Sequence, residues 1–414
     1  MRNIIRIFIA VILLFLVEYY FAKKVSKAIK NVFPKLSEKT KKVVLTVFFV
    51  WINLYPLFLI IDWSYAAISN SYVWVPQNFF FDYFLIYPFW TGLFIVVQSD
   101  LFFLIIDIFR IFLFPFWKKH RLKILSYETK AVLFIALFFL FYVPLRMVHD
   151  EYAVSIRIVE YKKKDLPEAL NNFKITFISD IQADRYTDNA RLTNYINKVN
   201  STHPDLVLMG GDVITSTPYY INEAAEYISK IKSKYGIYSC VGDHDNWAYH
   251  NDYLRSLKEV ETALGKKGIV MVNNGKRYVD VDSSKIEITF ITNTYVERIP
   301  TNQLDSLAQI KHKYALKIFL AHQPREFLVK AATNYNYDLY LAGHTHGGQI
   351  TFLFPFKNLS PTLIETPYVR GDFHFTKENG EKMLLVVTRG LGMSIAPVRY
   401  NSTPEITVII IEKG

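Results

Sequence analysis

The run Gly343-His344-Thr345-His346-Gly347-Gly348-Gln349 sets two imidazoles two positions apart inside a glycine frame. Paired histidines in such a frame have few purely structural uses. The glycines let the backbone turn sharply and approach a ligand, and the imidazoles supply nitrogen donors. Four further stretches offer partners: Asp180-Ile181-Gln182, Gly210-Gly211-Asp212, Gly242-Asp243-His244-Asp245 and Ala321-His322-Gln323-Pro324. Each alone is a weak signal. Asp180 could cap a helix, Gly211-Asp212 could be a turn, and a lone His322 is more often a core histidine bonded to backbone. Five such pieces in order along one chain are not readily coincidental. Carboxylate, amide and imidazole donors without a thiolate suit Mn, Fe or Zn. The single cysteine, Cys240, excludes both a disulfide framework and a thiolate cluster. Arg185, Arg325, Arg389 and Arg399 could each grip a phosphate through two N–H groups, although surface or core pairing is the commoner role for any one of them.

Short β-rich runs precede these residues, at 175–178, 206–209, 237–241, 286–291, 316–320, 339–341, 384–387 and 406–411. Between some of them lie stretches with apolar spacing of three and four, at 189–199 and 221–232. This alternation predicts a layered α/β domain with buried sheets. Five of the strand ends carry the donor groups, and adjacent strand ends converge on one sheet edge, where α/β ligands usually bind. Residues 160–164 read as a charged connector.

The first third of the chain is different. Residues 1–150 carry a net charge of +9 and 23 of the 33 phenylalanines, and residues 151–414 carry only +2. The basic excess therefore does not lie on the globular part, which argues against a nucleic-acid partner. Stretches 7–22, 43–61, 83–117 and 131–148 approach the roughly 20 apolar residues a spanning helix needs. Residues 19–23 lack a small-residue cleavage pattern, so the first is read as an uncleaved helix. Eight lysines in 23–42, and four with Arg121 in 118–130, flank a loop at 62–82 without Lys or Arg. The positive-inside rule then puts both basic loops in the cytoplasm, reads 83–117 as one long or bent helix, and leaves the globular part outside. Asp107 and Arg110, three apart, are expected to pair with each other.

The ordered set resembles the calcineurin-like metallophosphoesterases, with 343–349 the closest match. The likeness extends to Thr388-Arg389-Gly390-Leu391-Gly392, Pro397-Val398-Arg399 and Pro404-Glu405, segments similar to the branch in which the phosphoesterase follows N-terminal membrane helices. The resemblance implies two regions: a transmembrane helical region of about four helices at 1–150, and a metallophosphoesterase domain at 151–414. It implies an α/β fold for the latter, a four-layer αββα sandwich with two divalent metal ions. Asp180, Gln182, Asp212 and His346 would hold one metal. Asp212, Asp243, His322 and His344 would hold the other, with Asp212 shared. His244 would stand unligated beside the phosphate as proton donor, with Asp245 orienting it. Three positions depart from the family pattern. Gln182 stands where His is usual, Asp243 where Asn is usual, and Thr215 where a second Asp is frequent. An amide oxygen binds a borderline metal more weakly than imidazole does, whereas the added charge of Asp243 strengthens its own site.

The function expected is a membrane-anchored phosphoesterase acting on a phosphoester or pyrophosphate, with a phosphorylated substrate, lipid-linked ones included, and membrane lipids as partners. One alternative is a pyrophosphatase like the UDP-diacylglucosamine hydrolases, which requires a cytoplasmic catalytic domain. A second is a degenerate relative that binds a phosphorylated ligand without turnover. A third is a membrane transport or scaffold protein, with Asp107 and Arg110 as its only hints.

Overall fold

A computed structural model describes residues 2–69, 75–310 and 312–414, and the chain divides into two compact units. The first comprises Met1–Val148 with Phe352–Asn358, and the second His149–Thr351 with Leu359–Gly414. Positions 70–74 of the expected Lys/Arg-free loop lie outside the described residues.

Long apolar stretches become long helices in the first unit: α1 (Arg2–Val32), α2 (Glu38–Ser69), the single turn α3 (Phe79–Phe81), α4 (Tyr87–Phe112) and α5 (Phe114–Tyr152). Among the described residues, three spans are long and apolar enough to cross a membrane, at Glu38–Ala66, Phe79–Phe112 and Leu122–Tyr152. Phe15, Val47, Phe109, Phe134 and Leu145 stand exposed on these helices, a surface suited to hydrocarbon and not to water. Between α3 and α4 a π turn at Asp82–Ile86 interrupts the α-helical register. Pro88 has no N–H to extend the ordinary ladder there. The basic stretch 118–130, expected as a loop, is helical and lies inside α5, whose backbone breaks at His120 (φ −122°).

The expected Asp107–Arg110 pair forms at 3.7 Å within a larger cluster. Lys24 bonds to Asp107 and approaches Glu128 at 3.4 Å, and the Tyr20 hydroxyl donates to Asp107 at 2.7 Å. These charges neutralise one another, as groups inside a helical bundle must. Segment Phe352–Asn358 also belongs to this unit. The Gln98 amide donates to the Leu353 carbonyl and accepts from its N–H, both at 2.8 Å, and Phe352 packs edge-on against Phe94.

Among the described residues, the second unit holds two six-stranded sheets. One runs β1 (Ser155–Lys163), β12 (Glu405–Lys413), β2 (Phe173–Ile178), β3 (Leu206–Met209), β4 (Ile237–Cys240), β5 (Val270–Val272). The other runs β10 (Gly371–Thr376), β11 (Lys382–Val387), β9 (Leu339–Ala342), β8 (Leu316–Ala321), β7 (Ser284–Ile291), β6 (Gly275–Val281). Strand alternation sorts the apolar side chains into layers. Ile175, Phe177, Leu206 and Leu208 meet Ile318, Leu320, Leu339, Leu341 and Val386 between the sheets. The opposite faces, such as Val207 and Met209, pack under α6 (Asn189–Asn200), α7 (Ile221–Ile228) and α8 (Tyr253–Lys266). Phe319, Tyr340 and Leu385 pack under α9 (Thr301–Ala308) and α10 (Glu326–Asn334). The result is the αββα sandwich. Each fully buried leucine or phenylalanine in the central layer contributes about 1.5–3 kcal/mol.

Residues 160–164 are not a connector. Most of that stretch completes β1, which pairs in parallel with β12 at the sheet edge. Within it Glu160 and Lys162 occupy outward positions, which the single solvated face of an edge strand permits.

Candidate active site

β2, β3 and β4 are parallel neighbours, and their pairing continues into the loops beyond them. Asp180 N–H donates to Gly211 O, Gln182 N–H to Asp212 O and Ala183 N–H to Val213 O, each at 3.0 Å. From the second sheet, the loops after β8 and β9 bring His322, His344 and His346. His322 Nδ1 donates to Gly210 O at 2.6 Å, and the His344 backbone N–H donates to Asp180 Oδ1 at 3.1 Å. Two glycines make the approach possible. A Cβ at Gly242 would lie 2.2 Å from the Asp212 nitrogen, and one at Gly343 would lie 1.9 Å from Ser179 Oγ. Asp180, Gln182, Asp212, His344 and His346 all adopt positive φ, between 50° and 69°. Left-handed backbone thus recurs at five of the seven candidate ligands, as it does at turns elsewhere in the chain.

Their side chains converge. His322 Nε2 lies 3.3 Å from both Asp212 Oδ2 and Asp243 Oδ2, and His344 Nδ1 lies 2.8 Å from Asp243 Oδ2. His346 Nε2 is 3.6 Å from Asp180 Oδ1, and Gln182 Nε2 donates to Asp212 Oδ2 at 2.9 Å. Among the described residues, Asp243, His322 and His344 form one group whose donor atoms could share an ion, and Asp180, Asp212 and His322 form another. The donor set fits divalent cations. Gln182 Oε1 and His322 Nε2 are buried without a hydrogen-bond partner. With Nδ1 committed to Gly210 O, a neutral His322 would aim its lone pair at two carboxylates. A proton or a cation between them removes that conflict.

The electrostatics agree. Burial would raise the Asp212 carboxyl, but the charges of His322 and His244 outweigh it and hold the group below the usual range. Burial is likewise outweighed at Asp243, here by the His322 and His344 rings beside it, which hold the group below the usual range. Burial opposes protonation of His322, yet Asp212 and Asp243 hold it well above an ordinary histidine. His344, buried but bonded to Asp243 and Glu365, is pushed up to about 9. Burial, opposed by Asp180 and reinforced by Arg399, pushes His346 down to about 4. A site of this composition exchanges protons for divalent cations.

His244 is held by groups other than the one expected. Its Nδ1 donates to the Thr215 carbonyl, its Nε2 lies 3.1 Å from Ser394 Oγ, and its backbone N–H donates to Asp212 Oδ1 at 2.8 Å. Asp245 was expected to orient the imidazole. Instead its carboxylate accepts from the N–H groups of Asp212 (3.0 Å), Val213 (2.8 Å) and Gly242 (2.8 Å). It fixes the loops that carry Asp212 and Asp243, which is a positioning role. Burial and the neighbouring Asp212 charge push its carboxyl up to about 6.

Sequence reasoning missed a surrounding set. Gln323 Nε2 donates to both oxygens of Asp243, at 2.9 and 2.8 Å, and the Tyr295 N–H donates to Asp243 Oδ1 at 2.6 Å. Three donors converge on Glu365 Oε1: the Tyr295 hydroxyl (2.6 Å), His344 Nε2 (3.1 Å) and the Arg325 guanidinium. Adjacency to His322 could have flagged Gln323, but no motif spacing points to Glu365. The four arginines have structural partners. Arg399 is buried and donates to the carbonyls of Gly392, His346, Arg389 and Ser402. Arg389 pairs with Glu405 at 3.2 Å, Arg325 with Glu365, and Arg185 lies over the Tyr186 ring.

Residues 173–348 match the family described as calcineurin-like phosphoesterase. The chain carries a calcineurin-like phosphoesterase domain. That domain is of the metal-dependent phosphoester hydrolase type. The chain is 28% identical over 258 residues to the uncharacterized metallophosphoesterase YkuE of Bacillus subtilis (strain 168), covering 61% of this chain and 83% of that one. It is 27% identical over 263 residues to the transmembrane protein with metallophosphoesterase domain of Danio rerio, covering 62% of this chain and 57% of that one. It is 26% identical over 284 residues to the UDP-2,3-diacylglucosamine pyrophosphatase LpxG of Chlamydia muridarum (strain MoPn / Nigg), covering 58% of this chain and 84% of that one. In this chain the matched residues follow helices long and apolar enough to cross a membrane.

Proposed function

We propose that this protein is a multi-pass, membrane-anchored phosphoesterase that hydrolyses a phosphoester or pyrophosphate, with a lipid-linked substrate, at a binuclear metal centre. The observation that carries the reading is the convergence of five strand-end loops on two buried orphan donors, Gln182 Oε1 and His322 Nε2. Asp180, Gln182, Asp212 and His346 are the residues to hold one cation, and Asp212, Asp243, His322 and His344 the other. Mn, Fe or Zn suits these donors. Bound there, the cations would polarise phosphoryl oxygens and offset the charge that builds on them during displacement.

The chain's own residues supply the rest. Gln323 and the Tyr295 N–H hold Asp243 so that Oδ2 faces His322 and His344. Asp245 fixes the loop geometry. In its imidazolium form His244 donates Nδ1–H to Thr215 O, which leaves Nε2–H to protonate the departing oxygen. The lysine-rich stretches at 23–42 and 118–130 support an extracytoplasmic catalytic domain. A C-terminal reporter active only in the cytoplasm would reverse that orientation and favour a pyrophosphatase of the kind named for LpxG.

The decisive experiment is Asp212→Ala, assayed on methyl p-nitrophenyl phosphate with Mn²⁺. Loss of hydrolysis with an unchanged melting profile is expected, because the substitution removes the carboxylate shared by both cation sites. Near-normal turnover in metal-replete buffer would sink the binuclear assignment.

A further inference from the structure

Two isoleucines beside the site are held out into solvent. Ile364 is 93% exposed and Ile395 100% exposed. Each is the chain neighbour of a residue that touches an imidazole of the site. Glu365 accepts from His344 Nε2 at 3.1 Å, and Ser394 Oγ lies 3.1 Å from His244 Nε2. The isoleucines therefore flank the phosphoryl site, one beside His344 and the other beside His244.

The Ile395 backbone is strained. Its φ is +65°, a conformation that a β-branched residue rarely adopts, and the Ala396 N–H donates back to Ser394 O at 2.7 Å to close a three-residue turn around it. The turn persists because Gln349 clamps both of its arms. The Gln349 amide donates to the carbonyls of Ser394 (2.9 Å), Ala396 (2.8 Å) and Val398 (3.1 Å), and its Oε1 accepts from the Ser394 N–H at 2.9 Å. The loop of Ile364 is tied to the same segment, since Ser360 Oγ donates to Gly348 O at 3.0 Å and Glu365 anchors its other side. Glycine or asparagine at 395 would relieve the strain, and a polar residue at either position would suit water better. Exposure falls on both apolar side chains beside the chemistry and strain on Ile395 alone, and neither side chain contributes to a core.

We propose that Ile364 and Ile395 form an apolar rim that engages the hydrocarbon chain of an amphiphilic phosphoester while its phosphoryl group occupies the metal-ligand cluster. This rests on the phosphoesterase reading and names the substrate feature it recognises. The chemistry favours hydrocarbon over a sugar or base, because the rim offers methyl groups and no donors. Helices able to cross a membrane belong to the same chain, so such amphiphiles are at hand.

The test compares methyl p-nitrophenyl phosphate with hexadecyl p-nitrophenyl phosphate, the latter in phosphatidylcholine vesicles, using the full chain with Mn²⁺. In both, water oxygen bonds to phosphorus, the bond from phosphorus to the aryl oxygen breaks, and p-nitrophenolate leaves behind an alkyl phosphate. Wild type is expected to show a higher kcat/KM for the hexadecyl diester. Ile364→Asp and Ile395→Asp should each lower that value on the order of tenfold, the scale of one partly buried aliphatic side chain, with the methyl diester unaffected. Ile395→Gly should melt higher than wild type, since it relieves the turn, yet still lose chain preference. Equal losses on both diesters, or undiminished hexadecyl turnover in the variants, overturns the rim. If wild type hydrolyses neither diester, the phosphoesterase reading falls and the rim with it.

Discussion

Glu365 Oε1 accepts from His344 Nε2 at 3.1 Å, so the other ring nitrogen, Nδ1, is the one that faces Asp243. A carboxylate behind a metal-binding imidazole fixes its tautomer and raises its basicity. Glu365→Gln should therefore weaken cation binding at the Asp243–His322–His344 group by about 10–100-fold, with Glu365→Asp partly restoring it. Equilibrium dialysis against Mn²⁺ measures this directly, and an unchanged affinity would make Glu365 a surface residue only.

Gln182 presents a different question, because its Nε2 is already bonded to Asp212 and its Oε1 has no partner. If Oε1 is a ligand, Gln182→Ala should raise the Mn²⁺ concentration for half-maximal activity by about 10–100-fold, and Gln182→His should lower it. Identical titration curves for all three proteins would leave the first cation without this ligand.

His244 is expected to matter in proportion to the basicity of the leaving oxygen. His244→Ala should cost about 10²–10⁴-fold on an alkyl leaving group and much less on nitrophenolate, which departs without a proton. Thr215 holds the ring through its backbone carbonyl, so Thr215→Ser should leave this difference intact. Equal losses for the two leaving groups would argue for a binding role instead.

The pH dependence of the cation-free protein follows from His344. Its folded value, about 9, exceeds the ordinary 6.5, so its stabilising contribution is full below about 6.5 and is lost as pH rises through about 9. The loss is on the order of 3 kcal/mol. Asp245 at about 6 and His346 at about 4 titrate below that window, and His322, held well above an ordinary histidine, acts in the same direction as His344. The melting temperature of chelator-treated protein should fall from pH 6.5 to 9, and saturating Mn²⁺ should suppress the fall. A flat profile without metal would contradict the His344 assignment.

The seven candidate ligands were legible because each follows a β-rich run and shares a short segment with glycine or a second donor. The central strands were legible for the same reason, as continuous apolar runs bounded by turns. β1, by contrast, read as a connector because an edge strand with one solvated face carries Arg157, Glu160 and Lys162 among its apolar residues. β5, β6 and β10, short or at sheet edges, gave no comparable run. Glu365, Tyr295 and Ser394 come from loops whose paths depend on packing, and no local pattern encodes their arrival. Asp245 misled because adjacency to His244 in sequence suggested adjacency in function, whereas its side chain turns back to three backbone N–H groups.

The strap Phe352–Asn358 bears on how this enzyme can be handled. A soluble fragment cut at residue 149 would keep Phe352, Leu353, Phe354 and Phe356 but lose Gln98 and Phe94, against which the strap is bonded and packed. The excised fragment would then carry a sticky aromatic flap inside its sequence, an invitation to aggregation and to nicking by proteases. Crystallisation or assay of the catalytic half alone therefore calls for shortening that strap as well as removing the helices.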